Sequence, residues 1–261
     1  MKFCSLYSGS TGNCLFVSSE KAKILIDAGV SVKKIEQALI SLGENISDIN
    51  AILVTHEHSD HIKSIGSISK KYNIPVYANE ETWAAMPEQL NKINLLNKKT
   101  FIPNTSFDII DLKISPFNIP HDAANPCGFN IANCKSKMSI ATDLGYVDDK
   151  IFSNLKNSSF IMLESNYDPE VLKISSYPYK LKTRIAGPSG HLSNQTAGKT
   201  ISALYQTGLK EVMLGHLSKE NNFPELAYQT VLNELLENKI SEKDIKLNVA
   251  SRNEPSKIIL I

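Results

Sequence analysis

Two spacings of apolar residues alternate along this chain. Short runs rich in Ile, Val, Leu and Phe, of the kind that form buried strands, occur at Lys2–Tyr7, Cys14–Ser18, Lys23–Asp27, Ala51–Val54, Val76–Ala78, Leu112–Asn118, Gly128–Ala132, Met138–Thr142, Ile161–Glu164, Glu211–Leu214 and Lys246–Ala250. Between several of them the apolar positions spread to every third or fourth residue, as on a helix with one buried face. This predicts helices over Val32–Leu42, with Ser31 as N-cap and Gly43 as stop, and over His61–Tyr72. Two more are predicted over Asn194–Gln206, capped by Ser193, and Pro224–Asn238, which opens on the proline suited to a first helical position. No linker, low-complexity block or fixed-period repeat interrupts the pattern. Residues 1–261 are therefore expected to form a single α/β-type domain of layered sheets and outer helices.

Composition narrows the class. Hydrophobic residues make up 42% and charged residues 21%, which excludes a disordered or collagen-like chain. No apolar run approaches the roughly 20 residues that span a bilayer. The opening apolar segment stops at Ser8-Gly9-Ser10, unlike a signal peptide, so a cytoplasmic address is the expectation. Cys4, Cys14, Cys127 and Cys134 form no C-x-x-C pair and read as reduced thiols. With 28 basic and 27 acidic residues the net charge is +1, so any nucleic-acid binding must rest on a local patch.

The densest chemistry lies in His56-Glu57-His58-Ser59-Asp60-His61, which holds three of the six histidines in the chain. It follows a predicted strand and precedes a predicted helix. Residues two apart in an extended stretch point the same way, so His56 and His58 can grip one metal ion. As the chain turns into the helix, Asp60 and His61 point elsewhere and can hold a second. Imidazole and carboxylate donors suit zinc, manganese or iron. His121, His191 and His216 each stand at an element boundary, where a lone histidine is more often an ordinary polar residue. Asp143, at a strand end before Leu144-Gly145, could bridge two cations with its two oxygens.

Together, Asp27, His56-x-His58-x-Asp60-His61, His121, Asp143 and His216 resemble the five ordered motifs of the metallo-β-lactamase fold, an αββα four-layer sandwich with a dimetal site at one edge of its sheets. Ser8-Gly9-Ser10-Thr11-Gly12-Asn13, Ile52 to His61, Leu163-Glu164-Ser165-Asn166, Gly190-His191-Leu192-Ser193-Asn194 and Leu214-Gly215-His216-Leu217-Ser218 resemble the bacterial YycJ/WalJ family, associated with 5′-to-3′ exonuclease activity on double-stranded DNA. The resemblance implies two divalent ions, with His56, His58 and His121 on the first, Asp60, His61 and His216 on the second, and Asp143 between them. It makes Asp27 a structural aspartate that orients the histidine loop.

Glu164 and His191, the latter in Ser189-Gly190-His191, resemble the motifs of nucleic-acid-processing members of the superfamily. His191 is left over once both metal sites are filled, and is expected to give a proton to the leaving oxygen while Glu164 holds it. Asp60, Glu164 and His191 thus form the expected catalytic set. Processing nucleases usually insert a large domain between these two motifs, but here only 26 residues separate Glu164 from His191, which argues against RNA processing of that kind. Lys180, Lys182, Arg184 and Lys199 could form a basic rim for DNA phosphates, and Ser10, Asn13 and Ser189 could meet the substrate. The expected function is a dimetal nucleic-acid phosphodiesterase, with DNA as the favoured substrate and the oligomeric state undetermined. The alternative is a metal-dependent hydrolase of small esters, lactones or thioesters on the same fold, which would ignore duplex DNA.

Overall fold

A computed structural model describes the backbone of residues 1–261 and every side chain except those of Pro87 and Leu90. In chain order its strands are β1 (Lys2–Tyr7), β2 (Cys14–Ser18), β3 (Lys23–Ile26), β4 (Ala51–Leu53), β5 (Val76–Ala78), β6 (Lys98–Thr100), β7 (Phe107–Ile109), β8 (Leu112–Asn118), β9 (Cys127–Ala132), β10 (Lys137–Ala141), β11 (Phe160–Glu164), β12 (Glu211–Gly215), β13 (Lys246–Val249) and β14 (Ile259–Leu260). They pair as two seven-stranded sheets, β14-β1-β2-β3-β4-β5-β6 and β13-β12-β11-β10-β9-β8-β7. Each sheet joins an antiparallel part to a parallel part: β3 to β6 run parallel in the first, and β10 to β13 in the second. In a parallel run every strand delivers its C-terminal end to the same edge, so the loops that leave those ends can converge on one site.

Side-chain alternation sorts the core into three layers. Ile24, Ile26 and Leu53 of the first sheet face Ile131, Ile140, Phe160 and Met162 of the second. The intervening residues Leu25 and Ile52 pack outward on Ile35, Leu39, Ile65 and Ile68 of helices Val32–Ser41 and Ile65–Tyr72. On the far side, Ile161, Leu163, Val212 and Leu214 meet Ala197, Ile201, Val231 and Leu235 of helices Asn194–Tyr205 and Pro224–Glu237. The result is the αββα order. Phe3 and Phe160 meet between the sheets with ring centroids 4.7 Å apart. Truncating such a buried phenylalanine to alanine typically costs about 3–5 kcal/mol.

The eleven predicted strands all form, with ends displaced by at most one residue. Three edge strands, β6, β7 and β14, were not expected: Lys98-Lys99-Thr100 and Phe107-Asp108-Ile109 carry no apolar run, and β14 is only two residues long within the apolar end Ile258–Ile261. The helix expected over His61–Tyr72 is two, Ser59–Ile62 and Ile65–Tyr72. Ser64 causes the break: its N–H donates to the Ala28 carbonyl at 2.9 Å and its hydroxyl to the Val30 carbonyl at 2.6 Å. The caps fall where predicted, and Ser193 accepts from the Thr196 N–H, whereas Ser31 sits at the N-cap position without a side-chain bond.

Candidate metal centre

Each expected metal donor, with Asp27 and Glu164, stands at the end of a strand or in the segment that follows it, Asp60 and His61 on the short helix Ser59–Ile62; His191 instead follows the helix Tyr179–Ile185. Asp27 follows β3, the His56–His61 segment lies beyond β4, His121 lies beyond β8 and Asp143 beyond β10, Glu164 ends β11, and His216 follows β12. Three of them turn the chain sharply at those ends: Asp27, Asp143 and His216 have φ of 62°, 58° and 54°. This left-handed region is sparsely used by non-glycine residues, and strain of this kind gathers at functional sites. The backbone is equally crowded beneath the histidine loop. A Cβ on Gly29 would stand 1.6 Å from the Asp60 carbonyl oxygen, so only glycine fits there.

Four histidines have one ring nitrogen fixed from behind, which aims the other into a common space. Asp27 accepts from the Thr55 N–H at 2.9 Å, the Thr55 hydroxyl at 2.8 Å and His61 Nδ1 at 2.7 Å. The Thr55 hydroxyl proton is thereby engaged, leaving its oxygen to accept from His56 Nδ1 at 2.9 Å. His121 Nδ1 donates to the Gly190 carbonyl at 3.1 Å, and His216 Nδ1 to Glu164 at 2.8 Å. Three donor groups then converge: His56, His58 and His121; His56, His61 and Asp143; and Asp60, His61 and His216, with the donor atoms of each group lying within 4.8 Å of one another. His61 Nε2 lies 3.3 Å from Asp143 and 3.6 Å from Asp60.

The donor chemistry fits divalent ions. His56 Nε2, His216 Nε2 and Asp143 Oδ2 are buried without a hydrogen-bond partner among the described residues, a costly arrangement unless a cation meets them. A fourth group, Asp143, Glu164, His191 and His216, is spaced as closely. Its Glu164 contacts, at 2.8 and 2.9 Å to the Nδ1 atoms of His216 and His191, are hydrogen bonds already made. They read as orientation of two rings rather than as vacant coordination.

Charge divides the cluster. Burial and the neighbouring imidazoles of His61 and His121 hold His56 well below the usual histidine pKa, and burial also lowers His121. Burial opposes charge on His61 too, but the carboxylates of Asp27 and Asp143 outweigh it and raise that group to about 9. His216 is likewise raised against its burial, by Asp143 first. His191 is raised because Glu164 overcomes the burial that opposes it, and the Glu164 carboxyl is lowered in return by His191 and His216. Asp60 is lowered against its burial by His216 and His61.

Glu164 also accepts from the N–H groups of Leu144 and Leu192, at 2.8 and 3.1 Å. One buried carboxylate thus secures His191, His216 and two loops. His191 Nε2 makes no hydrogen bond among the described residues, and its side chain is 22% exposed beside the cluster. Asn13 is buried, with its amide 3.0 Å from His61 Nε2 and 3.3 Å from Asp60, so it faces the metal loop. Ser10 and Ser189 are exposed. Of the basic rim, Arg184 pairs with Asp122 at 2.5 Å and Lys182 donates to the Lys173 carbonyl at 2.7 Å, while Lys180 and Lys199 are exposed. Thr55, Asn166 and Asn194 stand in the motifs that carry the resemblance but had no role assigned to them, and Asn222 was missed altogether. Asn166 donates to the His216 carbonyl at 2.7 Å, and Asn222 ties the carbonyls of Ser165 and Asn166 to the Asn194 side chain. Lone polar residues carry no signal of such long-range pairing, although the closely spaced Ser165-Asn166 and Asn221-Asn222 hinted at one.

A profile described as the Beta-lactamase superfamily domain matches residues 22–217. The exodeoxyribonuclease YycJ of Bacillus anthracis is 39% identical over 92% of this chain and 90% of its own length. The exodeoxyribonuclease WalJ of Streptococcus pneumoniae is 39% identical over 90% of this chain and 88% of its own. Zinc-bound PqqB from Methylobacterium extorquens superposes with a TM-score of 0.72 over 98% of this chain and 100% of its own at 14% identity, a likeness of fold alone. The chain belongs to the β-lactamase superfamily and, within it, to the YycJ/WalJ family of hydrolases. No helix among the described residues is long and apolar enough to cross a membrane.

Proposed function

We propose that residues 1–261 act as one catalytic unit, a cytoplasmic dimetal phosphodiesterase that degrades DNA from the 5′ end. The observation that carries this is the convergence, in a chain 39% identical to two exodeoxyribonucleases, of the buried donor cluster with a histidine–glutamate pair beside it. His56, His58 and His121 would hold one ion, Asp60, His61 and His216 the other, with Asp143 shared; zinc and manganese suit these donors best, and iron is compatible. Such ions lower the pKa of water and polarise a phosphoryl oxygen.

The protein's own groups supply the rest. Asp27 and Thr55 fix the orientation of His61 and His56 before substrate arrives. Asn13 steadies Asp60 and His61. Glu164 is a positioning residue that favours the imidazolium form of His191. His191 then gives its Nε2 proton to the departing alkoxide, a poor leaving group that gains from general acid catalysis. Lys180, Lys182 and Arg184 lie on one short helix on the His191 side, where they can attract phosphates, and Ser10 and Ser189 can meet them.

The test is digestion of duplex and single-stranded DNA and RNA, labelled at either end, with zinc, with manganese, and after chelation. Metal-dependent release of nucleotides from the 5′ end of duplex DNA, falling steeply with salt, is expected. Turnover of a lactone or thioester with DNA left intact would replace this function with small-ester hydrolysis.

A further inference from the structure

A largely apolar cavity of about 440 Å³ opens between helices Pro169–Ile174 and Tyr179–Ile185, within the stretch that joins Glu164 to His191. Three tyrosines line it, Tyr167, Tyr177 and Tyr179, together with Leu172, and Lys173 and Lys182 stand at its wall. Its volume falls in the roughly 300–1,000 Å³ range of small-molecule sites. Tyr167 is buried while Tyr179 is 85% exposed, so a ligand would meet aromatic surface from the floor to the mouth. None of the three phenols has a hydrogen-bond partner among the described residues other than what a ligand or solvent would bring.

Both walls are fastened to the metal cluster. Tyr167 follows Asn166, whose side chain holds the His216 carbonyl at 2.7 Å. The Tyr179–Ile185 helix is held by the His191 N–H, which donates to the Ile185 carbonyl at 2.9 Å, and by Arg184 on Asp122, the neighbour of His121. Lys182 spans the two helices by donating to the Lys173 carbonyl. A flat aromatic ligand carrying negative charge matches this combination: stacking surface within, cations beside it, a hydrolytic site adjoining.

We propose that the cavity receives an unpaired nucleobase of the cleaved strand, stacked on Tyr177 and Tyr179, with its flanking phosphates near Lys173 and Lys182. This rests on DNA being the substrate. Base–aromatic stacking is sequence-tolerant because every base has a π-face, so the subsite would grip a frayed strand end without reading its sequence.

Two measurements on the metal-loaded protein test it. The first is binding of short single-stranded oligonucleotides by fluorescence anisotropy, with intact or abasic nucleotides at the terminal positions. The second is KM for 5′-labelled duplex ends with the same replacements. Removing the bases should weaken wild-type binding about 5- to 150-fold, the range for loss of one stacked base. The double substitution Tyr177→Ala with Tyr179→Ala should cause a similar loss on intact strands and little further loss on abasic ones, while the Tyr→Phe pair should retain wild-type affinity. Wild-type protein that ignores base removal overturns the proposal, as does an alanine pair that loses as much on abasic strands. Base-dependent binding without any DNA cleavage would refute the exonuclease function and leave the subsite standing. Cleavage without base dependence would do the reverse.

Discussion

The two poles of the donor cluster are built differently. His56, His58 and His121 form a group of imidazoles alone, with His56 and His121 kept neutral by burial. Asp60, His61 and His216 include one carboxylate; against their burial, Asp27 and Asp143 raise the pKa of His61, and Asp143, Asp60 and Glu164 raise that of His216. On the proposed ligand assignment, burial favours in His56 and His121 the neutral form that a ligating histidine needs, whereas an ion at the carboxylate pole would have to displace protons from His61 and His216.

Asp143 belongs to neither pole alone, and its removal should erase the difference. Asp143→Ala is expected to reduce metal content at both sites and to lower turnover on the order of 10⁴-fold or more, the equivalent of several kcal/mol of lost charge stabilisation. Elemental analysis alongside kcat checks this, and loss of one equivalent only would show that Asp143 serves a single pole. His191 stands outside both poles. His191→Ala should keep both metal equivalents yet lose about 10²–10⁴-fold in turnover, with a smaller loss on a nitrophenyl phosphodiester that needs no proton donor. Glu164→Gln should act more widely than His191→Ala, because Glu164 also orients His216. It should weaken one metal equivalent and slow the chemistry together.

Asp27→Asn leaves the imidazole pole in place but weakens the support of His61. A fall of about 10–100-fold in affinity for one ion, with the other unchanged in a competitive chelator titration, is expected. Equal weakening of both ions would mean that the Asp27–Thr55 pairing governs the whole loop.

The mildest test is pH. In metal-free protein the folded pKa of His61 is raised to about 9, above an ordinary value of about 6.5. Its contribution to stability is therefore fully present below about pH 6.5 and is lost as pH rises through about 9. His56, held below its ordinary value, acts in the opposite sense: its contribution is present above about pH 6.5 and is lost as pH falls towards the depressed folded value. Chelated wild-type protein should thus lose thermal stability towards alkaline pH, and chelated Asp27→Asn should lose less of it. Identical alkaline profiles would remove the electrostatic distinction between the poles.

The legibility of these features in the sequence follows their range. The His56–His61 loop is six consecutive residues and announces itself, as do the strands, whose alternation is local. Asp27, His121, Asp143 and His216 gain meaning only as an ordered set, and the structure brings them to one edge. What stayed hidden is contact between distant polar residues. Ser64 breaks a helix whose periodicity looks continuous, because it bonds to residues 28 and 30. Asn13 contacts a loop 47 and 48 positions away, and Asn166 reaches one 50 positions away. No local spacing encodes such pairings. The resemblance pairs Glu164 with His191, and the two are in contact, while its equal hold on His216 depends on how β11 and β12 lie side by side.

The donors are also divided between the sheets: His56, His58, Asp60 and His61 follow the first, and His121, Asp143 and His216 the second. Filled, the cluster is a rivet through the seam of the sandwich as much as a reaction centre. Such a tie would add to the core the two sheets already share, and metal supply would enter the folding equilibrium by mass action, contributing about 2.7 kcal/mol when free ion exceeds its dissociation constant a hundredfold. Scarcity of metal would therefore reduce how much folded protein persists, as well as how fast each copy works.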